Sequence, residues 1–146
     1  MTNLSTRTAG LALGALAAAG VAIAVYLTAT KLAGVAPVCG PSGGCETVET
    51  SPYSSVAGIP VALFGLGYSL VVFVAWLAWW RTEREALLLV PYVLGLVGTI
   101  VEAYLVYLEL FVIHAICLWC AAYGVTVVVG WLAGVLVLRR ARRPSS

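Results

Sequence analysis

The chain has 146 residues, 62% of them hydrophobic and only 10% charged, with a formal net charge of +2. Ordinary soluble domains are about 45–50% apolar and about 25% charged, so a water-soluble globule is excluded and an integral membrane protein is expected. Several spans leave no room for a second folded domain, so residues 1–146 are expected to form one membrane domain, surrounded by lipid and with no nucleic-acid partner.

The first apolar run is Ala9–Thr30, long enough for the roughly 20 residues that a bilayer core requires. Its Gly10-x-x-x-Gly14 spacing offers a small-residue face to a neighbouring helix. Ala17-Ala18-Ala19 imitates a signal-peptide cleavage site, but the run continues too far for an ordinary signal sequence. Asn3-Leu4-Ser5 matches a glycosylation sequon, on the cytoplasmic side by the charge argument below. A loop, 31–59, follows and holds Cys39 and Cys45, separated by Gly40-Pro41-Ser42-Gly43-Gly44. Such a loop permits a small disulfide ring, and the pair is expected to be mobile and exposed. Glu46 and Glu49 are expected on a solvated loop face.

The second span is expected at 60–80, with Pro60 in its first turn. A short turn at 81–85 makes it the antiparallel neighbour of a third span, 86–108, which carries Glu102 within it. An outer turn is expected around Glu109–Ile113, with His114, the only histidine, beside it. The last apolar run, Leu110–Leu138, is longer than a crossing needs. Arg139 fixes one end, and counting back roughly 20 residues puts the other near Cys117-Leu118-Trp119-Cys120. The fourth helix is assigned to 115–138, with this Cys-x-x-Cys pair at its outer end. The expected fold is all-α: a bundle of four transmembrane helices with the extracytoplasmic 31–59 loop capping its outer mouth.

Arg7, Arg81, Arg84, Arg139, Arg140, Arg142 and Arg143 flank the spans on alternate sides, and only Lys31 of the eight basic residues lies elsewhere. The positive-inside rule places both termini in the cytoplasm and all four cysteines outside, in a cell inner or plasma membrane. That side is oxidising, so disulfides persist there. Two dithiols facing one another exchange electrons through mixed disulfides. The pair at the membrane boundary then needs a lipid-soluble acceptor, and a quinone fits. Phe64, Tyr104, Tyr107, Trp119 and Tyr123 offer aromatic surface for it, and Glu102 a protonatable group.

Cys39-x5-Cys45, then Ser51, then Gly58-Ile59-Pro60-Val61-Ala62-Leu63-Phe64-Gly65, then Leu110-Phe111-Val112-Ile113 running into Cys117-x-x-Cys120 resembles the vitamin K epoxide reductase family over residues 39–123. The five-residue gap between the loop cysteines is similar to that of the bacterial branch. The resemblance implies that Cys117 and Cys120 form the quinone-side pair, with Cys120 nearest the quinone. It implies a shuttle pair in which Cys45 meets the partner and Cys39 exchanges with Cys117, and it sets Ser51 near the cysteines and the quinone. It further implies oxidation of a separate thioredoxin-fold disulfide carrier, with ubiquinone or menaquinone as acceptor. Animal members carry Asn at the position of Val61 and Tyr at that of Gly124, so vitamin K quinone or epoxide reduction is the less favoured alternative. A non-enzymatic membrane protein holding zinc through four thiolates is a second alternative.

Overall fold

The computed structural model describes residues 4–41 and 43–143; the Asn3 sequon position and Ser42 lie outside the described residues. The chain is an all-α membrane bundle. Its helices are α1 (Leu4–Ala33), α2 (Gly44–Glu49), α3 (Val61–Thr82), α4 (Leu89–Tyr107) and α5 (Leu118–Ala141). A 3₁₀ turn, Glu85–Leu88, leads into α4, and a π-helical turn, Leu108–Ile113, extends it. Among the described residues four helical stretches are long and apolar enough to cross a membrane: Leu4–Ala33, Val61–Thr82, Glu85–Ile113 and Leu118–Ala141. Their outward faces carry exposed apolar residues such as Val74, Ile100 and Phe111, as a lipid solvent requires.

α1 is the central element and packs along both α5 and α3, while α4 rests chiefly on α5. The Gly10 and Gly14 positions of α1 receive indole rings from α3. A Cβ at Gly14 would overlap the Trp76 ring, and Trp76 Nε1–H donates to the Gly10 carbonyl at 2.7 Å. The small residues thus seat tryptophans. At the same end Arg7 lies 5.6 Å from the Trp80 ring centroid and Arg140 donates to the Ser5 carbonyl. A buried cluster of Trp79, Leu88, Val137 and Leu138 closes this end. α3 touches α4 much less than it touches α1, and the cavity described below lies in that gap.

Three segments differ from the expectations. α1 runs from Leu4 to Ala33, and a left-handed glycine, Gly34 (φ 69°), follows its last residue and ends it. Pro60 is not in a helical turn: it is extended and pairs with Ser55 in a two-residue hairpin (β1 Ser55–Val56, β2 Ile59–Pro60), and α3 starts after it. The turn expected at Glu109–Ile113 is a continuation of the third span. The chain reverses only at His114, which adopts φ 56°. The 31–59 segment is itself built from α2, a 3₁₀ turn (Pro52–Ser54) and the hairpin.

Candidate functional site

α5 begins one residue after Cys117. Cys117 is its N-cap, and Cys117 Sγ accepts the backbone N–H of Cys120 at 3.2 Å. The first amides of a helix lack carbonyl partners, and here sulfur fills one vacancy. Cys117 is completely buried. Hydrogen bonds from the Cys120 side chain, and then from backbone N–H groups, pull the Cys117 thiol below its ordinary range, against burial and the nearby Glu109 charge. Both cysteines are free thiols, whereas Cys39 and Cys45 form a disulfide with a Cα–Cα distance of 5.8 Å.

Beside Cys120 lies a cavity of about 270 Å³ between α1, α3, α4 and α5, roofed by the 44–60 segment. Its wall is largely apolar. Cys120 is the one cysteine on it, and Ser51, Phe64, Glu102 and Tyr123 also reach it. Ser51 Oγ–H donates to the Val48 carbonyl at 2.7 Å rather than to a cysteine; the hydroxyl caps the local turn. Tyr123 donates to the Gly65 carbonyl at 2.7 Å and lies 3.0 Å from Ser69 Oγ. Its one proton is committed to Gly65, so Ser69 donates to Tyr123.

Trp119 and Tyr104 are not brought to the cavity. Tyr104 is 58% exposed on the outer face of α4, and Tyr107 stacks with Phe111 there. Trp119 turns away from the wall that Cys120 and Tyr123 line. Its ring lies 4.8 Å from that of Tyr26, and its Nε1–H donates to the Val38 carbonyl at 2.7 Å. Tyr26 accepts the Val38 N–H in turn. Trp119 is therefore a clamp on the residue preceding Cys39. In helices apolar on every side, hydropathy does not reveal which aromatic faces inward.

The loop pair is not as exposed as expected. Cys45 is completely buried, while Cys39 remains partly accessible. Gly44 lies so close to the Ile116 carbonyl that a Cβ would overlap it, which sets Cys45 beside the start of α5. Lys31 secures the far side: Nζ donates to the Glu49 carbonyl and to Ser54 Oγ at 2.7 Å, and lies 3.7 Å from Glu49 Oε2. Glu49 is thus a partly buried partner of Lys31, not a fully solvated face.

Burial pushes the Glu49 carboxyl above its ordinary range, with Lys31 pulling the other way. The docked loop therefore holds the Glu49 proton more tightly than a free loop would. This contribution to docking is fully present below the ordinary value of 4.5 and is lost as pH rises through the raised value. Amide hydrogen exchange over residues 44–54 is expected to quicken with rising pH beyond its intrinsic pH dependence. The excess is expected to vanish in Glu49→Gln. An excess that persists in that variant would assign it to another group.

Glu109 is a site residue that sequence reasoning missed. It is 7% exposed, lines the cavity, and its Oε2 accepts the Cys117 N–H at 3.2 Å. The π-helical turn carries it there; such turns recur at functional sites. Among the described residues no three His, Cys, Asp or Glu side chains are grouped as a metal site requires.

The family model for the vitamin K epoxide reductase family matches residues 11–135, from the first span to the last. A match over so much of the sequence means that this chain belongs to the vitamin K epoxide reductase family, and its general activity is that of a quinone-linked thiol oxidoreductase.

Proposed function

We propose that the protein makes disulfides outside the cytoplasm: it oxidises a separate thioredoxin-fold carrier and reduces a membrane quinone, ubiquinone or menaquinone. In this reading the membrane is a bacterial inner or plasma membrane, with both termini in the cytoplasm and all four cysteines beyond it. The observation that carries the reading is the division of labour among the sulfurs. Cys39 is partly exposed, Cys45 and Cys117 are buried at the same helix end, and Cys120 opens on an apolar cavity.

Burial favours an order of exchange opposite to the one the resemblance implies. Cys39 meets the carrier, and Cys45 exchanges with Cys117. Starting from a reduced loop pair and an oxidised inner pair, the Cys45 thiolate attacks Cys117 Sγ. The Cys117–Cys120 bond breaks and Cys120 leaves as thiolate. Cys39 then attacks Cys45, closing the loop disulfide and releasing Cys117. The sulfur state seen here, with the loop pair joined and the inner pair free, is the product of that sequence.

A quinone head group suits the cavity. About 270 Å³ is close to the lower end of small-ligand sites, roughly 300 Å³, and apolar walls with a few polar groups match a flat ring with two carbonyl oxygens. Phe64 and Tyr123 would flank the ring, Ser51 would lie at its edge, and Cys120 would face it. When bound, the quinone supplies a two-electron sink that lipid can carry away. The test combines purified protein, a reduced thioredoxin-fold carrier and a soluble quinone. One quinol per carrier disulfide is expected; carrier oxidation without quinol would refute the reading.

A further inference from the structure

The electron path leaves two carboxyl groups on the cavity wall without a task. Glu102 and Glu109 are seven residues apart on α4 and its π-helical extension, two turns along, so they share a face. Both line the cavity that Cys120 enters. Glu109 is tied to the inner dithiol by its bond to the Cys117 N–H. Glu102 is lodged over Gly124, where a Cβ would stand 2.9 Å from its Oε2. The missing side chain on α5 is what makes room for that carboxyl. The Glu102 carboxyl is partly buried against the cavity. An acid at membrane depth is expensive unless a partner or a proton explains it.

The other ionisable groups on this wall are already engaged or ill suited. Lys31 and Glu49 hold each other. Tyr123 donates to Gly65. Tyr53 and Tyr68 also line the wall and carry phenols, which serve as hydrogen-bond donors rather than as proton carriers. Cys120 is itself a reactant.

We propose that Glu109 and Glu102 form a two-carboxyl proton relay, Glu109 receiving from the Cys117–Cys120 dithiol and Glu102 donating toward a quinone oxygen. This rests on the quinone reading given above. When the dithiol is oxidised, two S–H bonds break and one S–S bond forms. Two electrons and two protons leave, enough to turn one quinone into its quinol. Ionised Glu109 takes up a thiol proton, and neutral Glu102 gives one up. Return of the proton from Glu109 to Glu102 restores both carboxyls, and a second pass carries the second proton, so the relay consumes nothing. Two helical turns are about 11 Å of rise, so the return step runs through water in the cavity.

Two kinds of measurement test the relay. The first needs no turnover: infrared spectra of the reduced protein with isotope-labelled glutamate. A neutral-carboxyl C=O band is expected, absent in Glu102→Gln and shifted when a redox-inert quinone analogue binds. The S–H stretch is expected to disappear at lower pH in Glu109→Gln, because a neighbouring negative charge has been removed. The second is steady-state kinetics with a soluble quinone. Each Gln variant is expected to lose roughly 100-fold in kcat, the usual size of a general acid–base contribution, with KM changing far less. A carboxyl band in the wild type that ignores the analogue would overturn the relay, even if both variants misfold. So would Gln variants with wild-type kcat and pH profile. A wild type that oxidises its carrier but reduces no quinone would overturn the function itself.

Discussion

Replacing Cys120 with alanine is expected to slow quinone reduction by at least about 1,000-fold while leaving the Cys39–Cys45 disulfide in place. Loss of a nucleophile that acts as part of a unit typically costs this much or more. The loss follows from placement: Cys120 is the one cysteine on the cavity wall, and Cys117 is fully buried beneath it. Without Cys120, Cys117 cannot form the inner disulfide that the loop pair reduces, so electrons reaching the loop pair have no acceptor and stop there. Stopped-flow absorbance with a soluble quinone measures the rate, and intact mass after alkylation counts the free thiols. A residual rate within tenfold of wild type would mean that another sulfur reaches the cavity.

Replacing Gly44 with valine is expected to uncouple the two sulfur pairs without touching either. The Gly44 Cα sits against the Ile116 carbonyl, one residue before Cys117, and there is no space for a Cβ. The contact atom is backbone at the start of α5, so it does not swing aside as a flexible side chain would. Overpacking of this kind costs about 1–3 kcal/mol. Set against docking of α2, this lowers the docked population roughly 5- to 150-fold. Electron transfer from loop to inner pair is expected to fall by that factor. Oxidation of the pre-reduced inner pair by quinone is expected to stay near wild type, since that step needs only the cavity side. Rapid quench with thiol trapping separates the two steps. Equal slowing of both would show that the substitution had damaged the bundle as a whole.

The spans and the place of the cysteines were legible because membrane length is an arithmetic constraint. Counting back from Arg139 put the Cys-x-x-Cys pair at the first turn of the last helix, and α5 starts at Leu118 with Cys117 as its cap. What was not legible depended on side-chain direction or on contacts between distant residues. Glu109 reads as the polar mark of a turn, because a π-helical extension has the same hydropathy as an ordinary one. Glu49 reads as solvated because its partner, Lys31, is 18 residues away. Trp119 and Tyr123 are equally plausible as cavity residues in an apolar helix; only the packing sends one to Tyr26 and Val38 and the other to Gly65. The glycines between Cys39 and Cys45 suggested freedom, yet Gly44 serves close approach and helps to fix the loop in place.

In the proposed order of exchange buried Cys45, not Cys39, passes electrons to Cys117, and a trapped intermediate distinguishes the two. Protein carrying Cys39→Ala, with its inner pair oxidised, lacks the sulfur that would resolve the mixed disulfide. Peptide mass spectrometry is then predicted to find Cys45 joined to Cys117 and Cys120 as a free thiol. Finding Cys45 free, or joined to the carrier, while a Cys45→Ala protein accumulates a Cys39–Cys117 bond, would contradict it.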